Sequence, residues 1–187
     1  MLVPSASVVL GGTTLGMGGL MVRVLLTCWL AVVASATAGA QHRTIKDSIV
    51  GTWSLDSVTA ELADGRKTEP FGPQPKGIMI FTADGHFSLF QSRAELPKIS
   101  ANDRAKATPD EAAALVSGAI AYYGTYSVNE DEKSLSVTLD GSTFQNLLGP
   151  PQKRIVTSID AKELKFANPR TPSGMTLQTE WKRAQGR

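Results

Sequence analysis

The sequence predicts an all-β fold: an antiparallel up-and-down β-barrel of about eight strands, with one short α-helix between the third and fourth strands. Three observations carry that expectation. From Val50 onward the apolar residues recur mainly with a period of two. Turn chemistry returns about every eight to twelve residues. Only one stretch, after Thr108, has the texture of a helix.

The first 40 residues lie outside this pattern. They hold one charge, Arg23, and no acidic residue. Arg23 supplies a basic start, Val24 to Ala34 is apolar, and Ala38-Gly39-Ala40 precedes Gln41 as an A-x-A cleavage site. The apolar run is about half of the ~20 residues that span a bilayer. Residues 1–40 therefore read as an N-terminal extension and signal peptide, with no membrane anchor, and residues 41–187 as a single domain exported to the periplasm or secreted. Translation from Met21, or from Met17, would supply all that the signal needs. Cys28 is the only cysteine and falls inside the apolar run, so the mature chain forms no disulfide. Lipidation at Cys28 is disfavoured because Thr27 precedes it and the apolar run continues beyond it.

The mature chain has a single-domain length, sufficient for an ordinary core without staples. Over the whole sequence 19 basic residues face 17 acidic ones, and this balance offers no broad field for nucleic acid.

Along the domain, Gly51 to Glu61 alternates and forms the first strand, closed by the turn signal Asp64-Gly65. Pro70 to Pro75 lacks the donors for a ladder and is loop. Gly77 to Thr82, apolar on both faces, suits a strand covered on its outer side. Ala83-Asp84-Gly85 turns it into His86 to Arg93. Thr108 is then an N-cap, Pro109 fits the first turn, and Glu111 completes a capping box. The helix is expected to continue to Ile120, with Leu115, Ala119 and Ile120 as its apolar stripe. Tyr122 to Asn129, Ser134 to Asp140, Lys153 to Ile159, Glu163 to Ala167 and Met175 to Arg183 complete the strands.

Several segments, taken in order, resemble the lipocalin-like domain family. They are Gly51-Thr52-Trp53, Asp64-Gly65, Phe71-Gly72-Pro73, Gly77 to Ser88, and Tyr122-Tyr123-Gly124-Thr125-Tyr126 after an Ala-rich helix. Gly141-Ser142 to Gly149, Gln152-Lys153-Arg154 and Glu180-Trp181-Lys182-Arg183 follow. The resemblance runs from about Ile49 to Arg183 and implies a barrel with a central cavity. It also implies that Trp53 plugs the closed end. Many relatives look cytoplasmic, whereas the export signal here favours a periplasmic role.

The expected function is binding of a small, largely apolar molecule in that cavity. The ligand-binding residues expected are Tyr122, Tyr126, His86, Phe90, Phe144 and Arg154. Tyr122, Tyr126 and Gly124 share one face of a strand, and the glycine opens space beside two phenols. The same residues also read as half-buried strand aromatics. His86 is either a solvated strand-end residue or an acid/base group at the barrel mouth. Arg154 points outward if Ile155 faces in and lines the cavity in the opposite register; the outer or barrel-end placement is favoured for it and for Arg93. Two histidines and one cysteine build no metal site, and no cofactor motif is present. Nucleophile motifs are missing too, so no catalytic residue is assigned and a binder is favoured over an isomerase, cyclase or hydrolase. A packed barrel acting through its surface is the third reading.

Overall fold

A computed structural model describes residues 43–169, 171 and 174–185. The expected signal peptide, Cys28 and the expected cleavage site after Ala40 lie outside the described residues. The elements, in order, are α1 (Ile45–Ile49), β1 (Gly51–Glu61), β2 (Lys67–Thr68), β3 (Lys76–Phe81), β4 (His86–Ser92), a 3-10 turn (Arg104–Lys106) and α2 (Pro109–Gly118). They continue with β5 (Ala119–Asn129), β6 (Ser134–Ser142), a second 3-10 turn (Gln145–Leu147), β7 (Gln152–Ile159), β8 (Glu163–Asn168) and β9 (Thr176–Arg183).

All pairings are antiparallel between neighbours, and β9 returns to β1, so β1 and β3 to β9 close into an eight-stranded barrel. Closure leaves no long free edge. The two-residue β2 is an addition that pairs with the last residues of β1, beyond the point where β3 leaves it. The helix α2 lies between the strands expected as third and fourth.

Alternation puts one face of each of the eight barrel strands toward a common core. Trp53, Met79, Phe81, Phe87, Leu89, Leu135, Val137, Leu139, Val156, Leu164, Phe166 and Trp181 are all buried there. Three bulges reset the phase: Leu55 to Ser57 against β9, Tyr123 to Gly124 against β6, and Val156 to Ser158 against β8. At the second of these the backbones approach so closely that a Cβ on residue 124 would sit 2.0 Å from the Thr138 carbonyl oxygen. Glycine is therefore required at that position by contact rather than by backbone angle.

One end is closed. The short α1 is capped by Thr44 and by the Glu130 carboxylate, which accepts from the backbone N–H groups of Ile45 and Lys46 at 3.0 and 2.9 Å. Its Ile45 and Ile49 are buried against the core. The Trp53 indole, fully buried on β1, donates to the Ile49 carbonyl at 2.8 Å. Trp53 thus fills the closed end as expected.

Two features differ from the sequence expectation, the helix end and the outer side of β3. The helix stops at Gly118, and Ala119 and Ile120 open β5 opposite Ser92 and Gln91. Small and apolar residues fit either period there, and ladder pairing decides. The outer side of β3 is not covered by any described element, since Ile78 and Ile80 remain 45% and 39% exposed. Between β6 and β7 only four residue pairs form, from Ser134↔Ile155 to Val137↔Gln152. Beyond them Leu147 and Leu148, at the second 3-10 turn, pack against the core instead.

Candidate ligand-binding site

The pocket that joins two of the expected ligand residues lies on the outer side of the barrel rim. Phe90 projects from β4 on the face opposite Leu89 and Gln91, as alternation requires. Phe144 follows β6, held near β5 because the Thr143 N–H donates to the Ala121 carbonyl at 2.8 Å. With Phe71, Leu115, Val116 and Ala121 they wall a groove of about 530 Å³. Its polar lining includes Ser117, Thr143 and Arg104, whose side chain has no partner among the described residues.

The groove depends on where α2 sits, and Glu111 fixes that. Thr108 and Glu111 form a full capping box, with the Thr108 N–H donating to one Glu111 carboxylate oxygen at 2.9 Å. The other oxygen accepts from the Ser100 N–H and hydroxyl at 2.9 and 2.5 Å. One carboxylate thereby ties the segment before the helix to the helix start. The Ser100 hydroxyl, followed by backbone N–H groups, lowers the Glu111 pKa to about 2.

The remaining expected residues stand elsewhere. Tyr122 faces inward, half-buried, edge-on to Phe87 with ring centroids 6.1 Å apart. Tyr126 shares that face but belongs to the hairpin below it. Its hydroxyl donates to the Thr82 carbonyl at 2.8 Å, and its ring meets Phe81 edge-on at 4.9 Å. Burial first, and the Asp84 carboxylate second, push the Tyr126 phenol up. His86 is exposed on the opposite face and sits with Nδ1 3.2 Å from Asp84 Oδ1. Hydrogen bonding from Thr82, then from His86, lowers the Asp84 pKa. Arg93 is exposed.

Arg154 corrects the favoured placement. It is inward and buried, opposite Leu135 of β6, and Ile155 is the residue that faces out. Sequence reasoning also missed Phe71 and Leu115 as groove walls, and Gln91 as an inward, buried amide on β4. The alternation Phe87, Leu89, Gln91 was the signal for the last. Among the described residues no cluster of His, Cys, Asp or Glu could hold a metal ion, and no helix is long and apolar enough to cross a membrane.

Apolar walls of aromatic and aliphatic side chains with a few polar atoms at the edge can hold a small hydrophobic molecule, and the volume lies within the usual range for such sites.

A family model described as a lipocalin-like domain matches residues 50–184. No curated protein matches the chain. Among solved structures, a lipocalin-like protein from Bacteroides uniformis is 14% identical at a TM-score of 0.40, over 73% of this chain and 99% of that one. A second protein from Bacteroides uniformis, solved by NMR, is 13% identical at a TM-score of 0.41, over 76% of this chain and 94% of that one. With a match from the strand-opening glycine through the closing strand, the chain belongs to the lipocalin-like domain family.

Proposed function

We propose that this is an exported binding protein for a small, largely apolar molecule, and that the rim groove between α2 and β4–β5 receives it. The observation that carries the reading is the set of Phe71, Phe90 and Phe144 converging on a space of about 530 Å³ while Phe90 and Phe144 remain exposed large hydrophobics. Three separate segments bring a phenyl ring to one place, and an apolar occupant would remove that surface from water. The Arg104 guanidinium at the edge suits a polar end of the occupant.

This placement differs from a ligand deep in the barrel. The closed half of the interior is filled by Trp53, Trp181, Phe81 and Phe87, whereas the groove is open.

The test is titration of the purified protein with a dansyl-labelled undecanoic acid, read by dansyl fluorescence. Burying a phenyl ring is worth roughly 1.5–3 kcal/mol, so Phe90→Asp and Phe144→Asp should each weaken binding by about tenfold or more. Unchanged affinity in both variants would rule the groove out.

A further inference from the structure

Arg183, the last residue of β9, is held at the closed end by three backbone carbonyls. Its Nη1 donates to Val50 at 2.7 Å, its Nη2 to Ser48 at 2.6 Å and its Nε to Ala161 at 3.4 Å. Residue 51 has to be glycine for this, because a Cβ there would stand 2.6 Å from Nη1. A guanidinium carries five N–H groups, so one on each terminal nitrogen is left over.

Arg43, just before α1, lines one pocket of about 440 Å³ together with Arg183, Ser48, Ile159, Asp160 and Ala161. That pocket shares no lining residue with the rim groove. Arg43 is exposed and has no partner among the described residues. The two like charges act on each other: burial first, and the Arg43 charge second, lower the Arg183 pKa. Neither guanidinium has a carboxylate of the described residues within 4.0 Å. Asp160 is the one acid of the lining, and its Oδ1 is engaged by its own loop. It accepts from the Lys162 and Glu163 N–H groups at 2.7 and 2.8 Å. The pocket therefore keeps a surplus positive charge on two forked donors, with no carboxylate to receive them.

We propose that Arg43 and Arg183 form an oxyanion site at the closed end, which takes a phosphate group. A tetrahedral dianion can meet both forks at once, and it replaces the repulsion between the guanidiniums with two attractions. Arg183 is already fixed by its carbonyl bonds and by the Trp53 ring, so only Arg43 loses freedom on binding. With 19 basic against 17 acidic residues the chain has no broad field toward an anionic membrane. Free phosphate or a soluble phosphate ester is therefore the expected source, rather than a lipid headgroup.

Inorganic phosphate is titrated into isotope-labelled protein at constant ionic strength and followed by NMR. The amide signals of Ser48 and Ala161 are expected to shift and saturate with a midpoint of about 1 mM, while those of Phe90 and Phe144 in the groove stay in place. Arg43→Gln should raise the midpoint at least about tenfold. Arg43→Lys, which keeps the charge and loses the fork, should raise it less. Melting gives a second reading, in which the variant controls for the general stabilisation that phosphate exerts by exclusion from protein surfaces. Without phosphate at low salt, Arg43→Gln should melt above the wild type, because the repulsion is gone. In excess phosphate the order should reverse. Sedimentation with phosphatidylglycerol vesicles, set against phosphatidylcholine vesicles, reads the lipid source. Sedimentation that requires Arg43, with no response to inorganic phosphate, would overturn the soluble source and place the phosphate on a lipid. No saturable shift and no sedimentation, or a midpoint unaffected by Arg43→Gln, would overturn the site itself.

Discussion

The Arg183 guanidinium lies 3.8 Å above the centre of the Trp53 ring, so the last strand of the barrel locks onto the first across the closed end. The same side chain donates to the carbonyls of Val50 at 2.7 Å and Ser48 at 2.6 Å, satisfying the end of α1. Burial, then the neighbouring Arg43 charge, lowers its pKa from the usual arginine value.

Trp53→Ala should cost roughly 3–5 kcal/mol, the usual range for emptying a buried tryptophan site. Arg183→Ala should cost less, because a cation–π contact is worth about 0.5–2 kcal/mol and the freed carbonyls can be reached by water. Urea denaturation of both variants orders the two effects. A Trp53→Ala curve that overlays the wild type would mean that the closed end is not packed as described.

The barrel itself was legible because its strands obey a simple period and its turns use Gly, Asp and Pro. The bounds of β1 follow directly from the alternation between Gly51 and Glu61. The helix start at Pro109 was fixed by Thr108 and Glu111. Its end was not, since Ala119 and Ile120 suit a helix stripe and a strand equally, and pairing with β4 is a long-range effect. β2 consists of Lys67 and Thr68 alone, too few residues to show any period. Arg154 sits between apolar Ile155 and a partner pattern that reads either way, so only the β6 register reveals its direction. Phe90 and Phe144 were expected as ligand residues, but their meeting place depends on the position of α2, which no local pattern encodes.

Acid should remove the contribution of Glu111 to stability. The Glu111 pKa is about 2 in the folded protein and 4.5 in an ordinary setting, so it is depressed on folding. A depressed carboxylate stabilises the fold above its unfolded value and loses that contribution as pH falls through the folded value. The stability gap between wild type and Glu111→Ala should therefore be constant above about pH 5.5, narrow below 4.5 and close near 2. Denaturation of both proteins over that range tests it; a gap independent of pH would mean that the Ser100 contacts do not form.

Export is tested at the N-terminus. The basic residue Arg23, the short apolar run and Ala38-Gly39-Ala40 lead to an expected mature start at Gln41. N-terminal sequencing of protein recovered from the periplasm or medium should begin there. A chain that retains Met21, or one acylated on Cys28, is incompatible with the proposed processing.

Binding and catalysis can be separated with three conservative variants. The Tyr126 hydroxyl is engaged with the Thr82 carbonyl, so Tyr126→Phe should cost a net hydrogen bond of roughly 0.5–1.5 kcal/mol in stability and little in ligand affinity. Tyr122 faces the core beside Phe87 and lines no part of the groove, so Tyr122→Phe should leave the affinity of a groove ligand nearly unchanged. His86 is exposed beside Asp84, away from the inner face, and His86→Ala should change neither affinity nor stability appreciably. A positioned acid or base is worth roughly a hundredfold or more in rate, so a catalyst would show a different pattern. One of the three variants would then lose turnover while binding persisted. The measurement is affinity and chemical conversion on the same samples, with the ligand recovered after incubation and compared with the starting material. Unaltered ligand in the wild type and all variants, with affinity nearly unchanged, is the expected result. A converted ligand, with conversion lost in the His86 or Tyr122 variant, would replace the binding protein with an enzyme.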